Sequence, residues 1–476
     1  MSERSRDHAI PTSRIARGSK LGRAAAQQAV RSAGTRMSMV GRSEELRARA
    51  AEKASIQAAD QLVNVLGSMK GAAMKLGQML SVLDLALVPE EHRERFQNKL
   101  ALLRDRAPSV SFDAMKAVVE DDLGRPISDA FAVFDEVPIA AASIGQVYRA
   151  VLHDGREVAV KVQYPGVDVA IRADMKNLAL FLKFWRSSFP SISAPALTEE
   201  LRVNFERELE YAEEARTQHI LAGRFAGHPF VLVPDAVMEL CTSRVLVTEF
   251  VHGRRFDDIR TLGAPERDRI GEIIYRFYVG SLYRFDEFCG DPHPGNVILC
   301  DDGRVAFIDF GLYNRMLRPH VEFELRCLRA ASEERGDDLL AAMISRGTVE
   351  ADAGVTAEEC LDYTYAASGW NLVDRILTVT PSLASGGLLL AIDPRGAQFA
   401  GMTSQTLPPE HLFSRRADFL TFGVLGQLEA TANWHRIARE WIYDEPAVTE
   451  LGRAEEEWRA TSGARPASSP PQDPSC

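Results

Sequence analysis

Residues 287–296 read EFCGDPHPGN, and residues 309–311 read DFG. The first stretch is rich in proline, glycine and other turn formers, which predicts a loop. Between the two stretches, two short apolar runs flank Asp-Asp-Gly, a pattern that is typical of a β-hairpin. A hairpin would bring Asn296 and Asp309, which lie at its two ends, close together. Side-chain oxygens of this kind are preferred ligands of Mg²⁺, so the sequence predicts a magnesium site here.

The composition is that of an ordinary globular enzyme in a reducing compartment. The chain has 476 residues, enough for two lobes or domains, with 46% hydrophobic and 26% charged residues. Its net charge of −11 argues against a general nucleic-acid-binding protein. The six cysteines show no paired spacing and are expected to be free thiols. No apolar run reaches the length of a membrane span, so we expect a cytoplasmic protein. From the net charge we expect no nucleic-acid partner.

The N-terminal arm, residues 1–42, is basic although the whole chain is acidic. It carries nine lysine and arginine residues against two acidic residues. Such an arm is expected either to be a disordered, solvated tail or to attract an anionic membrane surface. The second interpretation makes the protein peripheral to a membrane.

Periodicity and turn signals divide the chain into five segments. A basic, disordered arm (1–50) precedes a helical extension (51–110), a lobe with a small sheet and an acidic helix (111–250), a helical lobe (251–455) and a disordered tail (456–476). Within the first lobe we predict a helix at 112–123 ended by Gly124, strands at 147–152 and 157–162 joined by Asp154-Gly155, helices at 169–185 and 197–224, and strands at 230–233 and 245–250. The chain is therefore predicted to have an α+β fold with two lobes.

Lys161 lies in the middle of the apolar strand VAVKV. A lysine there needs a partner, unless the strand lies at an edge of the sheet and the side chain points to water. The acidic helix offers five glutamates as partners: Glu206, Glu208, Glu210, Glu213 and Glu214. The loop before the strands, residues 140–145, is rich in alanine and would let backbone N–H groups approach phosphates, although it is not a G-x-G-x-x-G loop. A strand lysine paired with a helix glutamate after such a loop is how kinases hold phosphate groups.

The order of these pieces along the chain is that of a kinase. The small-residue loop, the strand lysine, the acidic helix, a linker at 248–251, the D-x4-N loop and DFG follow one another. In the linker, the backbone of Glu249 and Val251 would bond to the edge of an adenine ring. This order predicts a site for ATP or ADP with Mg²⁺.

Four stretches together resemble the UbiB/AarF-type atypical kinase family, which is tied to isoprenoid quinone biosynthesis. They are Lys75-Leu76-Gly77-Gln78, PIAAASIGQVYRA at 138–150, ELEYAEEA at 208–215, and GDPHPGN with DFG, and the match spans about residues 55–320. The resemblance implies a two-lobed protein-kinase-like fold. It also implies that the helix with the KxGQ motif, in the N-terminal extension, packs over the active site where a peptide substrate would otherwise lie.

The resemblance implies a role for each matching residue. Asp291 would be the catalytic aspartate, and Asn296 and Asp309 would bind Mg²⁺. Lys161 would contact the α- and β-phosphates and pair with Glu214. The nucleotide would also lie against the alanine-rich loop, at Ala140, Ala141, Ala142 and Ser143.

Lys75 and Gln78 would reach into the site from the helical extension, and Lys75 would meet Glu208 of an E-x-D motif. Here the sequence departs from the family, because Glu210 stands where the motif has aspartate. The charge is kept, but the side chain is one methylene longer. For Lys75, a solvent-facing helix position is the alternative interpretation. His293, a loop residue without histidine or cysteine at ligand spacing, is interpreted as structural.

The order of the motifs predicts a Mg-ATP-dependent kinase or ATPase, and the resemblance implies an atypical one that supports isoprenoid quinone or lipid metabolism. Its acceptor would be a small or lipid-like molecule, or water. Two alternatives remain: an antibiotic-type small-molecule phosphotransferase, whose loops have a similar GD-x-H-x-GN pattern, and a pseudokinase scaffold that binds nucleotide without turnover. A conventional protein kinase is disfavoured, because Arg315 follows DFG closely and no A-P-E segment marks an activation loop.

Overall fold

The computed structural model describes residues 110–185, 202, 205–352, 354–384 and 408–462. These residues form two compact units. The first contains the described residues up to Arg216 together with Ala236–Phe250, and the second contains Thr217–Asp235 and the described residues from Val251 onward. The predicted basic arm, nearly all of the helical extension, Lys75 and Gln78 lie outside the described residues.

The elements are numbered along the chain. The strands are β1 Val133–Phe134, β2 Ala140–Ala141, β3 Gly145–Val151, β4 Glu157–Gln163, β5 Val231–Leu232, β6 Val245–Glu249, β7 Gly253–Arg255, β8 Glu287–Cys289, β9 Val297–Cys300, β10 Val305–Phe307, β11 Tyr313–Arg315, β12 Leu377–Thr378 and β13 Thr431–Ala432. The α-helices are α1 Phe112–Leu123, α2 Ile127–Ala130, α3 Val167–Trp185, α4 Tyr211–Arg224, α5 Phe256–Ile259, α6 Ala264–Tyr275, α7 Ser281–Phe285, α8 Arg318–Ser332, α9 Gly336–Arg346, α10 Ala357–Leu372, α11 Pro409–Leu428, α12 Trp434–Ile442 and α13 Glu450–Ser462. The described residues contain many α-helices together with mostly antiparallel sheets, which confirms the predicted α+β class.

The first unit is built on an antiparallel sheet in which β4 is a central strand. The strand order is β1-β3-β4-β6, and β2 pairs with β3. The β3–β4 hairpin turns at Gly155, whose φ of 89° favours glycine, as the Asp-Gly pattern predicts. Val158, Val160 and Val162 alternate along β4 and are fully buried in the core of this unit. Lys161, which lies between them, is therefore not on an edge strand, and the edge-strand interpretation is wrong.

The predicted single helix at 197–224 is also wrong, because the chain breaks it just before Tyr211. The carbonyl of Leu209 accepts a hydrogen bond from Gln163 Nε2 at 2.9 Å. The N–H of Tyr211 donates to the carbonyl of Ser243 at 3.1 Å. Because these backbone groups bond to other parts of the unit, they do not continue a helix. A new helix, α4, begins at Tyr211 instead.

The second unit combines small sheets with a helical core. One sheet has the order β5-β10-β9-β7, in which β9 and β10 are the predicted hairpin. β5 pairs in parallel with β10, so this strand belongs to the second unit and not to the first lobe, where the predicted segment 111–250 placed it. β8 and β11 form a separate antiparallel ladder. α6 continues through a π-helical turn at Arg276–Gly280 into α7, and this continuous helical stretch is buried from Ile270 onward.

The predicted start of the disordered tail at residue 456 is too early, because α13 continues to Ser462. Trp458 is buried, and its indole Nε1 donates to the carbonyl of Ala226 at 3.2 Å. Its ring centre lies 4.3 Å from that of His228. These contacts with a distant part of the chain hold the last helical turns in place. Residues from 463 onward lie outside the described residues.

Two further expectations from composition can be compared with the structure. Among the helices that the structure describes, none is long and apolar enough to cross a membrane. Within the same residues, the five cysteines are all free thiols, as predicted: Cys241, Cys289, Cys300, Cys327 and Cys360.

Candidate functional site

Lys161 is held by Glu214, one of the five glutamates considered as partners. Its Nζ lies 2.9 Å from Oε1 and 3.1 Å from Oε2. The lysine side chain is 19% exposed and the glutamate side chain 2% exposed, so the pair is largely desolvated. The ammonium also lies 4.9 Å from the centre of the Tyr211 ring, within cation–π range. The predicted pair is confirmed, and its role in phosphate binding stays a prediction.

Glu214 reaches β4 because α4 begins beside the sheet, where the backbone of Tyr211 is anchored. The remaining candidates do not take this position. Glu206 and Glu213 are exposed and pair with arginines on their own helical segments. Glu210 is exposed as well. Burial therefore distinguishes Glu214 from these three.

The alanine-rich segment is only partly a loop. Ala140–Ala141 form β2 against β3, and the Ala142 N–H then donates to the carbonyl of Gly145 at 2.9 Å. Gly145 has no room for a side chain, because a Cβ there would lie 2.1 Å from the carbonyl oxygen of Val162. The loop prediction is wrong for the first two alanines and correct for the tight turn that follows.

Glu208 lies beside this tight turn. The hydroxyl of Ser143 donates to Glu208 Oε2 at 3.3 Å, and Glu208 is 9% exposed. Glu210, which replaces the aspartate of the family motif, points to solvent. Because Lys75 lies outside the described residues, its contact with Glu208 stays a prediction, as does the role of Gln78.

The predicted adenine linker follows β6. This strand ends at Glu249, which stands opposite Val158 in the sheet register. The N–H of Phe250 donates to the carbonyl of Glu157 at 3.0 Å, which ties the start of the linker to the sheet. The adenine contacts of Glu249 and Val251 stay predictions.

In the second unit, the D-x4-N loop with Asp291 and the DFG loop with Asp309, called here the two acidic loops, are hydrogen-bonded neighbours. Gly290, directly before Asp291, donates its N–H to the carbonyl of Leu312 at 2.8 Å. Leu312 directly follows the DFG residues. This bond therefore links the D-x4-N loop to the chain that leaves Asp309.

The D-x4-N loop is stabilised by its histidine. Pro294–Asn296 form a 3₁₀ turn, and the Nδ1 atom of His293 accepts a hydrogen bond from the Gly295 N–H at 3.0 Å. His293 thus has the structural contact expected of it. Among the described residues, no group of three or more histidine, cysteine, aspartate or glutamate side chains is arranged to hold a metal by itself.

The β9–β10 hairpin brings Asn296 and Asp309 together as predicted. The N–H of Ile308 donates to the carbonyl of Asn296 at 3.2 Å, and Asp309 is the next residue. Asp309 Oδ1 accepts a hydrogen bond from the Gly311 N–H at 3.2 Å, which orients the carboxylate. An amide oxygen and a carboxylate are hard oxygen donors that suit Mg²⁺, provided that nucleotide phosphates complete the coordination. The residues present therefore fit Mg-nucleotide.

Tyr278 was not identified from the sequence. It is 2% exposed, and burial raises its pKa well above the usual range, with the negative charges of Asp291 and Asp309 acting in the same direction. The side chain therefore lies near both acidic loops and keeps its proton. It belongs to a buried helical turn, and no local pattern marks it as part of a site.

Comparison with known proteins places these features in a family. A family model described as the ABC1 atypical kinase-like domain matches residues 102–337. The atypical kinase COQ8B, mitochondrial, of Rattus norvegicus is 32% identical over 380 residues, which cover 78% of this chain and 71% of that protein. AarF domain-containing protein kinase 1 of Mus musculus is 34% identical over 268 residues, covering 54% of this chain and 50% of that protein.

A chloroplast protein and a solved structure extend this comparison. ACTIVITY OF BC1 COMPLEX KINASE 1, chloroplastic, of Arabidopsis thaliana is 34% identical over 282 residues, which cover 57% of this chain and 39% of that protein. The structure of Rv3197 of Mycobacterium tuberculosis in complex with erythromycin has a TM-score of 0.61 and 32% identity, and the match covers 85% of this chain and all of that one. The fold of the described residues is therefore protein-kinase-like.

Proposed function

Because the chain belongs to the UbiB/AarF family of atypical kinases, we propose that it is a Mg-ATP-dependent kinase or ATPase. The observation that carries this proposal is the desolvated pair of Lys161 and Glu214 in the first unit. In kinases, such a pair holds the phosphates of ATP. In the second unit, Asn296 and Asp309 provide the kind of ligands that Mg²⁺ takes.

Each of these residues would have a separate task. Lys161 would contact the α- and β-phosphates, while Glu214 would keep the lysine ammonium oriented toward them. Asn296 and Asp309 would hold Mg²⁺, which when bound neutralises charge on the phosphates. Asp291 would accept the proton of the attacking hydroxyl or water. Because Tyr278 keeps its proton, it adds no further negative charge beside these carboxylates.

We further propose that the acceptor is a small or lipid-like molecule, or water, and not a protein. The chain passes from DFG into β11 at Tyr313 and then into α8 at Arg318, which leaves little length for the activation segment of a protein kinase. The family's tie to isoprenoid quinone biosynthesis supports a role in quinone or lipid metabolism. We place this role in the cytoplasm, with a peripheral contact between the basic arm and anionic lipid.

Calorimetry with MgADP and metal-free ADP tests the nucleotide site. We expect Asp309→Asn to remove the Mg-dependent part of the affinity, since one of the two side-chain ligands loses its charge. Lys161→Met should weaken both affinities and lower the melting temperature, because breaking a buried pair typically costs about 3–5 kcal/mol.

Matched controls are available on the surface of each unit. Asp301→Asn changes an exposed aspartate in the turn of the same hairpin. Lys116→Met removes a half-exposed lysine that lies 3.8 Å from Glu120 on the same helix. Both should behave like the parent protein. Parental affinity for MgADP in Asp309→Asn and Lys161→Met would refute the proposed site. Separately, a metabolite comparison between a deletion strain and its parent would test the quinone or lipid role.

A further inference from the structure

One carboxylate in the second unit, that of Glu287, is shared by side chains of α4 and β11. Glu287 is the first residue of β8, and it accepts hydrogen bonds from the guanidinium of Arg224 and, at 3.2 Å, from the hydroxyl of Tyr313. Arg224 is the last residue of α4, and Tyr313 is the first residue of β11. We refer to this contact of three side chains as the Glu287 bridge.

The Glu287 bridge is shielded from water. The side chain of Glu287 is 12% exposed and that of Arg224 is 21% exposed. The guanidinium also lies 5.9 Å from the centre of the Phe285 ring. Burial, and then the charge of Glu287, raise the pKa of Tyr313 well above its usual range, so its hydroxyl stays protonated and donates. Charge-assisted bonds in such a setting are strong and directional.

The bridge fixes one end of the ladder that carries both acidic loops. In the β8–β11 register, Tyr313 is opposite Cys289 and Arg315 is opposite Glu287, so Tyr313 and Glu287 are diagonal neighbours on one face. The ladder continues through the bond from Gly290 to Leu312 described above. Beyond that bond, one strand leads to Asp291 and the other leads back to Asp309.

We infer that Glu287 is a positioning residue for the reaction, because the Glu287 bridge ties β11 to β8 and sets the spacing of Asp291 and Asp309. This inference rests on the proposed function. In many kinases, the segment after DFG is ordered by a phosphate that is added to it and pairs with arginine. Here the carboxylate of Glu287, which is itself paired with Arg224, holds that segment through the hydroxyl of Tyr313. The helix that supplies Arg224 also carries Glu214 in its first turn.

The test uses the full chain with Tyr313→Phe, Glu287→Ala and the double variant. We expect each single variant to lower kcat for ATP turnover by about tenfold, since small displacements of reacting groups have large effects. MgADP affinity should fall severalfold and metal-free ADP affinity should stay at the parental value. The double variant should be no worse than Glu287→Ala, because the two side chains act through one contact.

Tyr443→Phe is the matched control. The Tyr443 hydroxyl also donates to a glutamate, Glu333 Oε1, at 2.9 Å, but this contact is exposed and distant in sequence from the acidic loops. Its loss should leave kcat and MgADP affinity unchanged.

Four outcomes decide between the possibilities. Parental kcat and MgADP affinity in Tyr313→Phe and Glu287→Ala would overturn the inference. A loss that parallels the fraction of unfolded protein in both variants would also overturn it, because the role would then be structural. If the parent protein binds MgADP without turning over ATP, the proposed activity fails and the inference is judged on MgADP affinity alone. If the parent protein does not bind MgADP, both fail.

Discussion

At the residue scale, His228 shows how burial sets the charge of a side chain in the second unit. It is 2% exposed, and its Nδ1 accepts hydrogen bonds from the N–H groups of Phe230 and Val231 at 3.3 and 3.0 Å. A ring that is protonated at Nδ1 cannot accept these bonds. Burial lowers the pKa of His228 from 6.5 to about 4, although the charge of Glu455 acts in the opposite direction.

We expect the free energy of unfolding to fall as the pH decreases from 6.5 to about 4. In this interval the unfolded chain binds a proton at His228 whereas the folded chain does not, so acid favours unfolding. The loss should be roughly 2 kcal/mol between about pH 7 and about pH 5. Urea unfolding at these two pH values measures it.

His228→Asn provides the control, because an amide oxygen can accept the same bonds without titrating. Glu455 contributes little to the change in the free energy of unfolding over this pH interval, because its lowered pKa affects stability only below 4.5. The variant should show the smaller pH dependence. The same pH dependence in the variant and the parent protein would contradict the prediction.

Residue types predict part of the site and not the rest. Lys161, Asn296 and Asp309 are recognisable because their chemistry and order along the chain are sufficient. Residue types and periodicity leave five glutamates as partners of Lys161, since the selection depends on where α4 begins, and only the family resemblance names Glu214. Glu287 could not be assigned, because its partners are far away in sequence and meet it only in the folded unit.

At the element scale, α13 is attached to the second unit through buried side chains. Glu455 pairs with Arg276 at 3.1 Å and with Arg284. All three side chains are at most 5% exposed. One turn further on, Trp458 packs against His228. The end of this helix is therefore part of the core and not a tail.

Two truncations test the attachment of α13. Deleting residues 456–476 removes Trp458, and loss of a buried aromatic side chain typically costs about 3–5 kcal/mol. Deleting residues 463–476 keeps the helix as the structure describes it. We expect a clear fall in the thermal unfolding midpoint for the first truncation and a midpoint close to the parental value for the second. Equal midpoints would show that α13 contributes little.

Local signals explain which elements could be predicted. The β3–β4 and β9–β10 hairpins contain Asp-Gly turns, and α1 ends at Gly124, whose φ is 64°. These signals act within a few residues. By contrast, the break before Tyr211 depends on bonds to Gln163 and Ser243, and α13 depends on Ala226 and His228. Contacts of this kind appear only once distant segments have packed together.

At the scale of the whole molecule, charge is distributed unevenly. The net charge is −11, yet residues 1–42 carry nine basic and two acidic residues. The arm therefore opposes the sign of the remaining chain. An anionic membrane would repel most of the protein and attract this segment, so contact through the arm would also orient the protein.

We expect deletion of residues 1–42 to reduce co-sedimentation with vesicles that contain phosphatidylserine. Each basic residue near such a surface contributes about 1 kcal/mol, so the full-length protein should bind measurably. Added salt should weaken binding, because the screening length falls from about 10 Å at 0.1 M to about 3 Å at 1 M ionic strength. With vesicles of phosphatidylcholine alone, the deletion should make no difference. A chain that lacks residues 463–476 should bind the anionic vesicles as the full-length protein does. If the shortened and full-length proteins sediment equally with anionic vesicles, the arm does not direct the protein to membranes and is a solvated tail.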